Sequence, residues 1–402
     1  MTTTPSETGY SWSAEQVALV CRTVIPASHR GHRRRLTREA GTGPAGEVLT
    51  SLTIACASFS GYVSRTMSAT LSVVMPVYNE AAHLPATIEA LIVALAKTDF
   101  DAELVLVDDG STDGSADVAR AAVAGRLPLR VVSQPNRGRL EARRAGLGAA
   151  TGEWVLLLDG RVRIEPGALA FLRRRIAEGD RVWTSHVHVE TGCNVLATFW
   201  KLIAELAWAE YFDCPRTTSF GSDRFDRYPK GTTCFLAPRA LLVDAIGAVR
   251  SRYADPRRAN DDTPILRWIA AREPIHISPS FDVSYRARTT LRSFLAHSFH
   301  RGIVFLDGHG RRESRFFPAA VAFYPASALL AVATARSLRV GLRAACALSL
   351  AAAAVGLARR RSAIEIVSLA VVTPLYALAH GAGMWRGLTL MVLRGVRPVA
   401  RL

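Results

Sequence analysis

Acidic residues follow short apolar segments at two places in this chain. Asp108 and Asp109 come directly after one such segment, and Asp159 comes directly after another. Carboxylates placed in this way can accept hydrogen bonds from base N–H groups and ribose hydroxyls, or can hold a divalent metal on a diphosphate. A purely structural role is the alternative for each of them. The residue types therefore predict a nucleotide site where the two segments end.

Four apolar segments alternate with segments of helical periodicity. The apolar segments are 71–75, 104–107, 129–132 and 154–158. Continuous apolar character over so few residues is typical of parallel strands buried on both faces. Helices are predicted from Leu84 to Leu95, from Asp113 onward and over Arg139–Ala149. This order predicts an α/β fold with a mostly parallel sheet, helices on both faces and a ligand crevice at the carboxyl ends of the strands.

Four motifs in this part of the chain resemble one known family. In order, they are VVMPVYNEAAHL, VLVDDGSTDGS, QPNRGRLEARRAG and WVLLLDGRVRIEPGAL. Over residues 71–302 the chain is similar to the family 2 glycosyltransferases, which have a GT-A fold, a Rossmann-like α/β architecture. The resemblance implies transfer of a sugar from a nucleotide diphosphate donor to an acceptor, with inversion at the anomeric carbon by one direct displacement.

The resemblance also implies which residues form the donor site. They are Pro76, Tyr78 and Glu80 in the nucleotide pocket, Asp108 and Asp109 at the base and ribose, Arg143 near the diphosphate, and Asp159 as the first acid of the DxD signature. The chain departs from this signature at its third position, where Arg161 replaces the acid. Either Asp159 holds Mg²⁺ or Mn²⁺ with other groups, or arginines including Arg161 neutralise the diphosphate without a metal.

A second acidic motif lies further along the chain, in the sequence NDDTPILRW. It resembles the family's acidic pair, in which one acid is the general base that takes the acceptor proton. We expect Asp262 to be this base and Asp261 to be the second candidate. The alternative is that either residue caps a helix that begins at Pro264.

Residues 290–315 are predicted to form an amphipathic segment in the membrane interface. Leu291, Leu295, Phe299 and Ile303 share one helical face, and basic residues occupy the remainder. Arg301 lies where a weak resemblance suggests contact with the leaving diphosphate. A membrane-facing basic side chain is the alternative for Arg301.

Residues 316–402 are predicted to contain two or three membrane helices and a short basic tail. The stretches 316–335 and 366–385 carry no charge, and 340–358 carries a single arginine. Such stretches are long enough to cross a hydrocarbon core as helices. Buried core helices are the alternative. Arginines flank every stretch, so the positive-inside rule does not choose an orientation.

Three domains follow from these patterns, with a tail before them. Residues 1–66 show no sustained periodicity and are expected to be a disordered extension, with Met67 as an alternative start of translation. Residues 67–289 are the predicted glycosyltransferase domain, followed by the interfacial and membrane segments. The six cysteines show no CxxC pair, which favours a reducing, cytoplasmic environment for this domain.

The chain of 402 residues has 50 basic and 34 acidic side chains, a net charge of +16. This excess predicts anionic partners such as headgroups or phosphorylated substrates. Nucleic acid is not expected, because no recognisable nucleic-acid module accompanies the arginines. We therefore predict a multi-pass membrane enzyme with a cytoplasmic catalytic domain, a nucleotide-sugar donor and a sugar or lipid-linked acceptor from the cell envelope. The alternative is a catalytically silent module that binds nucleotide sugars or acts as a scaffold.

Overall fold

The computed structural model describes residues 69–396, with side chains as far as Leu393. The predicted N-terminal tail, the proposed start at Met67 and the last residues of the basic tail lie outside this range. The described part divides into an α/β domain and a C-terminal group of long helices.

A mixed sheet forms the centre of the α/β domain, in the order β3-β2-β1-β4-β8-β6-β9-β5, with β7 paired to β9. The strands are β1 (Thr70–Val77), β2 (Asp101–Asp108), β3 (Leu129–Ser133), β4 (Trp154–Leu158), β5 (Val162–Ile164), β6 (Trp183–Glu190), β7 (Thr218–Phe220), β8 (Cys234–Pro238) and β9 (Ile275–Arg286). The four strands predicted from the sequence pair in parallel. β8 joins β4 in the antiparallel direction, so the second half of the sheet is mixed.

Helices cover both faces of this sheet, as predicted. Those of the domain are α1 (Leu84–Leu95), α2 (Ser115–Val123), α3 (Arg139–Ala149), α4 (Ala168–Ala177), α5 (Val195–Ala207), α6 (Ala209–Phe212), α7 (Arg239–Ala248) and α8 (Thr263–Ala270). Along β1, Val74 packs into a core shared with α3, α7 and α8, whereas Val73 and Met75 pack into a second core with α1, α2 and α4. Alternate side chains of a strand point to opposite faces, so both faces are buried. The fold-class prediction is confirmed.

The C-terminal part consists of α9 (Leu291–His309), α10 (Phe317–Arg336), α11 (Leu338–Ala358) and α12 (Ala363–Val396). Within the described residues, α10, α11 and α12 are the three helices long and apolar enough to cross a membrane. Their positions agree with the three predicted segments.

Helix α9 packs along α12 by one side, where small side chains allow close approach of the two helices. Phe294, Ser298 and Gly302 are buried on α9. Of the predicted apolar face, Ile303 is buried, whereas Leu291 and Phe299 are 51% and 38% exposed. Contact of this exposed part with a membrane interface stays a prediction. Gly302 and Gly383 face each other so closely that a Cβ on Gly302 would lie 2.9 Å from the Gly383 Cα.

Candidate functional site

A polar cavity of about 190 Å³ lies beyond the carboxyl end of β4, between the domain and α9. It is lined by Arg139, Arg143, Asp159, Val187, Val189, Trp200, Thr232, Thr233, Asp261, Asp262, Tyr285, Arg288, His297 and Arg301. Five of the predicted site residues therefore meet in one cavity. They come from the β4 end, from α3, from the start of α8 and from α9.

Arg143 links two of the acids at the base of this cavity. Its side chain is 1% exposed, and its Nη2 donates to the Asp159 carboxylate at 2.9 Å. Its Nη1 donates to the Asp261 carboxylate and to the Asp261 carbonyl oxygen. Nη2 also donates to the Thr232 carbonyl oxygen at 3.2 Å, which joins the segment before β8 to the two acids. Because these bonds engage both terminal nitrogens, Arg143 holds the acids in place, and its contact with a diphosphate stays a prediction.

The two bridged acids differ in their pKa. Burial opposes ionisation of Asp261, but the guanidinium groups of Arg139 and Arg143 outweigh it and hold the pKa of this carboxyl below its ordinary value. For Asp159, burial is the larger effect and raises the pKa of the carboxyl, although Arg143 and Arg139 act in the opposite direction. Asp261 is therefore a stable anion, whose lowered pKa makes it the weaker candidate for a base.

Asp262 has two roles open to it. It is the N-cap of α8, and its Oδ1 accepts bonds from the backbone N–H and the hydroxyl of Thr263. The capping alternative is thus realised in the structure. Both bonds end on Oδ1, and Asp262 also lines the cavity. Capping therefore uses one carboxylate oxygen and leaves Oδ2 for chemistry.

Asp109 organises the backbone that leads into α3. It is 4% exposed, and its carboxylate accepts bonds from the Gln134 side chain and from the N–H groups of Arg137 and Gly138, at 2.7 to 2.8 Å. Gly138 has a φ of +87°, and a Cβ there would lie 2.6 Å from the Arg257 Cα. Asp109 thus sets the position of α3 and its arginines. A contact between Asp109 and a base or ribose stays a prediction.

The remaining predicted donor residues lie at the carboxyl ends of β1 and β2, outside the cavity lining. Pro76 is buried in β1, Tyr78 is 49% exposed, and Asp108 accepts a bond from the Ser111 N–H at 2.9 Å. Arg161 and Glu80 form an ion pair, with Arg161 Nε 2.8 Å from the carboxylate. These residues and the cavity therefore both lie at the carboxyl ends of the parallel strands.

Several cavity residues were not predicted from the sequence. Trp200 comes from α5 and Arg288 follows β9, and neither stands in a motif that we singled out. Arg301 lies with its guanidinium 5.6 Å from the Trp200 ring centre, and Arg288 donates to the Tyr285 hydroxyl at 3.2 Å. Burial, then Arg288 and Arg301, lower the pKa of His297 well below its ordinary value, so this imidazole is neutral. This wall of the cavity suits an anionic ligand.

Comparison with known proteins agrees with this geometry. Residues 72–230 match the family described as glycosyl transferase family 2. The glycosyltransferase GlyG of Streptococcus pneumoniae is 32% identical over 115 residues, which are 28% of this chain and 37% of that protein. The undecaprenyl-phosphate 4-deoxy-4-formamido-L-arabinose transferase of Aeromonas hydrophila is 37% identical over 111 residues, 27% of this chain and 34% of that protein.

Residues 72–230 form a family 2 glycosyltransferase domain. The chain spans about a third of the length of the curated relatives that it matches. Among solved structures, that of Staphylococcus aureus TarS 1–349 in complex with UDP-GlcNAc aligns with a TM-score of 0.42 and 18% identity, covering 60% of this chain and 67% of TarS 1–349. The family match over residues 72–230 confirms the resemblance stated for the four motifs.

The side chains at the DxD position of the glycosyltransferase domain offer few ligands to a divalent metal. Asp159 has one oxygen bonded to Arg143, and Arg161 brings a positive charge to the place of the second acid. Mg²⁺ and Mn²⁺ need several oxygen ligands, and cationic side chains beside them oppose binding. Among residues 69–393, no group of three His, Cys, Asp or Glu side chains is placed to hold a metal ion. We therefore assign no step of the reaction to a metal.

Proposed function

We propose that this chain is a membrane-anchored, inverting glycosyltransferase, which moves a sugar from a nucleotide diphosphate sugar to an acceptor by direct displacement. The observation that carries the proposal is the meeting of Asp159, Asp261 and Asp262 in one cavity of a family 2 glycosyltransferase domain. In this mechanism Asp262 takes the proton of the acceptor hydroxyl as that oxygen bonds to the anomeric carbon. The nucleoside diphosphate leaves with the electron pair of the broken bond.

Arginines take the place of a metal at the diphosphate in this proposal. Arg288 and Arg301 line the cavity, and among the described residues neither forms an ion pair with a carboxylate. Arg161 stands at the DxD position, 21% exposed, on the side of the β1 and β2 ends. Guanidinium groups can form two parallel bonds with phosphate oxygens, so they can stabilise the charge that develops on the leaving group.

We propose a lipid-linked acceptor and a catalytic domain that faces the cytoplasm. The cavity is lined by Trp200 of α5 and by residues of α9, and both helices pack against α12. An acceptor in the bilayer would therefore reach the acids from the side of the membrane helices. Relatives named undecaprenyl-phosphate transferases support an acceptor of this class. The cytoplasm is the compartment in which nucleotide sugars are made.

Asp262→Asn tests the proposed base. Asparagine caps helices about as well as aspartate, so the fold of α8 is kept while the proton acceptor is lost. We expect kcat to fall by about two to four powers of ten, with donor affinity nearly unchanged. The measurement is single-turnover transfer from a panel of labelled nucleotide sugars to lipid acceptors, alongside donor titration.

Asp255→Asn is the matched control. Asp255 caps the short 3-10 turn over Pro256–Arg258 in the same loop, through a 3.1 Å bond from the Arg257 N–H, and is not among the cavity residues. Its substitution should leave kcat unchanged. An Asp262→Asn enzyme with wild-type kcat would remove Asp262 from the mechanism. Donor binding without transfer in the wild-type chain would favour the silent module instead.

A further inference from the structure

The acidic pair lies at the end of a loop with little regular structure. Residues 249–262 connect α7 to α8, and their one regular element is the short turn over Pro256–Arg258. Asp261 and Asp262 must nevertheless be held to within a fraction of an ångström, because a base acts only within hydrogen-bond reach of its proton. The loop therefore needs a fixed support from elsewhere in the fold.

One buried carboxylate on α9 bonds to both limbs of this loop. Asp307 is 3% exposed. On the entering limb, Oδ1 accepts from the Arg252 N–H at 2.7 Å and Oδ2 accepts from the Ser251 hydroxyl at 2.9 Å. On the leaving limb, Oδ2 accepts from the Asn260 N–H at 2.8 Å. A single side chain thus closes the loop at its two ends.

Asn260 passes this support on to the acids. Its side-chain Oδ1 accepts bonds from the N–H groups of Asp262 and Thr263, at 3.1 and 3.0 Å. Gly308, next to Asp307, has no side chain between the two segments, and a Cβ there would lie 2.5 Å from the Asn260 Nδ2. The Asn260 side chain is therefore pressed against the α9 backbone and fixes the start of α8.

The same helix is packed against α12 at backbone distance. A Cβ on Gly387 would lie 2.6 Å from the Ile303 carbonyl oxygen and 2.8 Å from the hydroxyl of Tyr253, a loop residue. The Tyr253 hydroxyl donates to that same Ile303 carbonyl. These contacts and those of Asp307 and Asn260 therefore form a continuous path from α12 through α9 to the acidic pair.

We infer that Asp307 is a positioning residue for the acidic pair, joining the loop that carries Asp261 and Asp262 to α9 and, through α9, to α12. The inference rests on the proposed function for the role of the acids. Asp307 itself is buried below the loop and is not among the cavity residues, so it acts through Asn260 and the loop backbone. On this view α12 is part of the catalytic architecture as well as an anchor.

Asp307→Asn in the full chain tests the inference. The substitution keeps the size of the side chain but turns one acceptor oxygen into a donor, which opposes the N–H and O–H groups that face it. We expect kcat to fall by about 10- to 100-fold, the effect of a displacement of about 1 Å in a catalytic group, while the donor Kd changes by less than about twofold. Asn260→Ala should give the same pattern. The double variant should lose no more than the larger single loss, because both act on one set of bonds.

Glu103→Ala, which removes the acceptor oxygen, is the matched control. The Glu103 Oε1 accepts bonds from the Ser72 hydroxyl and from the N–H and hydroxyl of Thr151, so it also ties a loop by one carboxylate. That loop lies at the amino ends of β1, β2 and β4, away from the cavity at their carboxyl ends. The control should lower the thermal midpoint as Asp307→Asn does and leave kcat unchanged. Equal kcat losses in the two variants, or an unchanged kcat in Asp307→Asn, would overturn the inference and leave the proposed function intact.

Hydrogen exchange tests the support without any assay of transfer. In Asp307→Asn, the amides of Arg252, Asn260, Asp262 and Thr263 should exchange faster than in the wild-type chain, with the strands unchanged. Should the wild-type chain transfer no sugar, the proposed function fails, and these amides alone decide whether Asp307 holds the loop. Unchanged exchange at all four overturns the inference.

Discussion

Arg143→Met tests how the site is held together. The Arg143 guanidinium is 1% exposed and bonds to the carboxylates of Asp159 and Asp261. Methionine is of similar length, so the change removes the charge and the donors with little change in volume. The variant leaves Asp159 without its ion-pair partner, while Asp261 keeps Arg139 at 3.4 Å. Leaving a buried charge unpaired costs about 3–5 kcal/mol. We expect a loss of this size in the free energy of unfolding, a large share of the ~5–15 kcal/mol typical of a domain.

The loss should depend on pH in a defined direction. Arg139 and Arg143 hold the pKa of Asp261 below its ordinary value of 3.8, against the effect of burial. A carboxyl with a lowered folded pKa stabilises the fold above its unfolded pKa, and this contribution disappears as the pH falls through the folded value. Without Arg143, Asp159 and Asp261 repel each other as anions, so protonation relieves the variant. The difference between wild type and variant should be largest near pH 7 and smaller at about pH 4.

The assay is urea-dependent unfolding of the full chain in detergent, followed by tryptophan fluorescence at the two pH values. Arg144→Met is the control, because Arg144 is the next residue of α3 but is 46% exposed and pairs with Glu141 on the surface. Its substitution should change the free energy of unfolding by about 0.5 kcal/mol or less. A loss below about 1 kcal/mol in Arg143→Met, or one independent of pH, would refute the bridging role.

Two further predictions follow from the DxD departure and from the packing of α9 on α12. Transfer by the wild-type chain should survive chelation, and Arg161→Ala should weaken donor binding in a way that added Mg²⁺ or Mn²⁺ does not restore; transfer lost on chelation and regained with metal would contradict this. Gly383→Ala should destabilise the chain by about 1–3 kcal/mol, since its Cβ would overlap the Phe299 carbonyl oxygen, while Gly148→Ala, with nothing within 4 Å, should not. Thermal midpoints in detergent measure the pair, and equal midpoints would contradict close helix packing.

Much of the fold could be predicted from the sequence because its signals are local. The strands β1 to β4 are short, continuous apolar runs, and such runs can be recognised without knowledge of distant residues. The three long apolar helices are equally visible in composition. The acids of the site lie at element boundaries, Asp159 after β4 and the acidic pair before α8, where motif and position coincide. The family resemblance then supplied the expected roles of those acids.

The pairing of the site residues was decided only by the tertiary structure. Arg143 and Asp261 are 118 residues apart in the chain, and no periodicity links them. Asp109 was predicted to contact a nucleotide, but both of its carboxylate oxygens accept hydrogen bonds from the loop before α3. These bonds depend on where that loop lies in the fold. The packing of α9 on α12 was also decided by the tertiary structure. Small residues of α9 meet α12, a contact that the apolar pattern of α9 does not by itself indicate.

Local sequence patterns thus predicted the strands, the helices, the membrane segments and the positions of the acids. Which side chains pair with each other was decided by the assembled fold. A carboxylate has the same chemistry in any sequence, but burial and the nearest cation decide whether it is a stable anion, a cap or a base. Asp261, Asp262 and Asp307 are the same residue type within 47 positions, with three different sets of partners. Because electrostatic energies vary with distance and burial, only the tertiary structure could separate a carboxylate held by arginines from one that caps a helix and one that supports the loop.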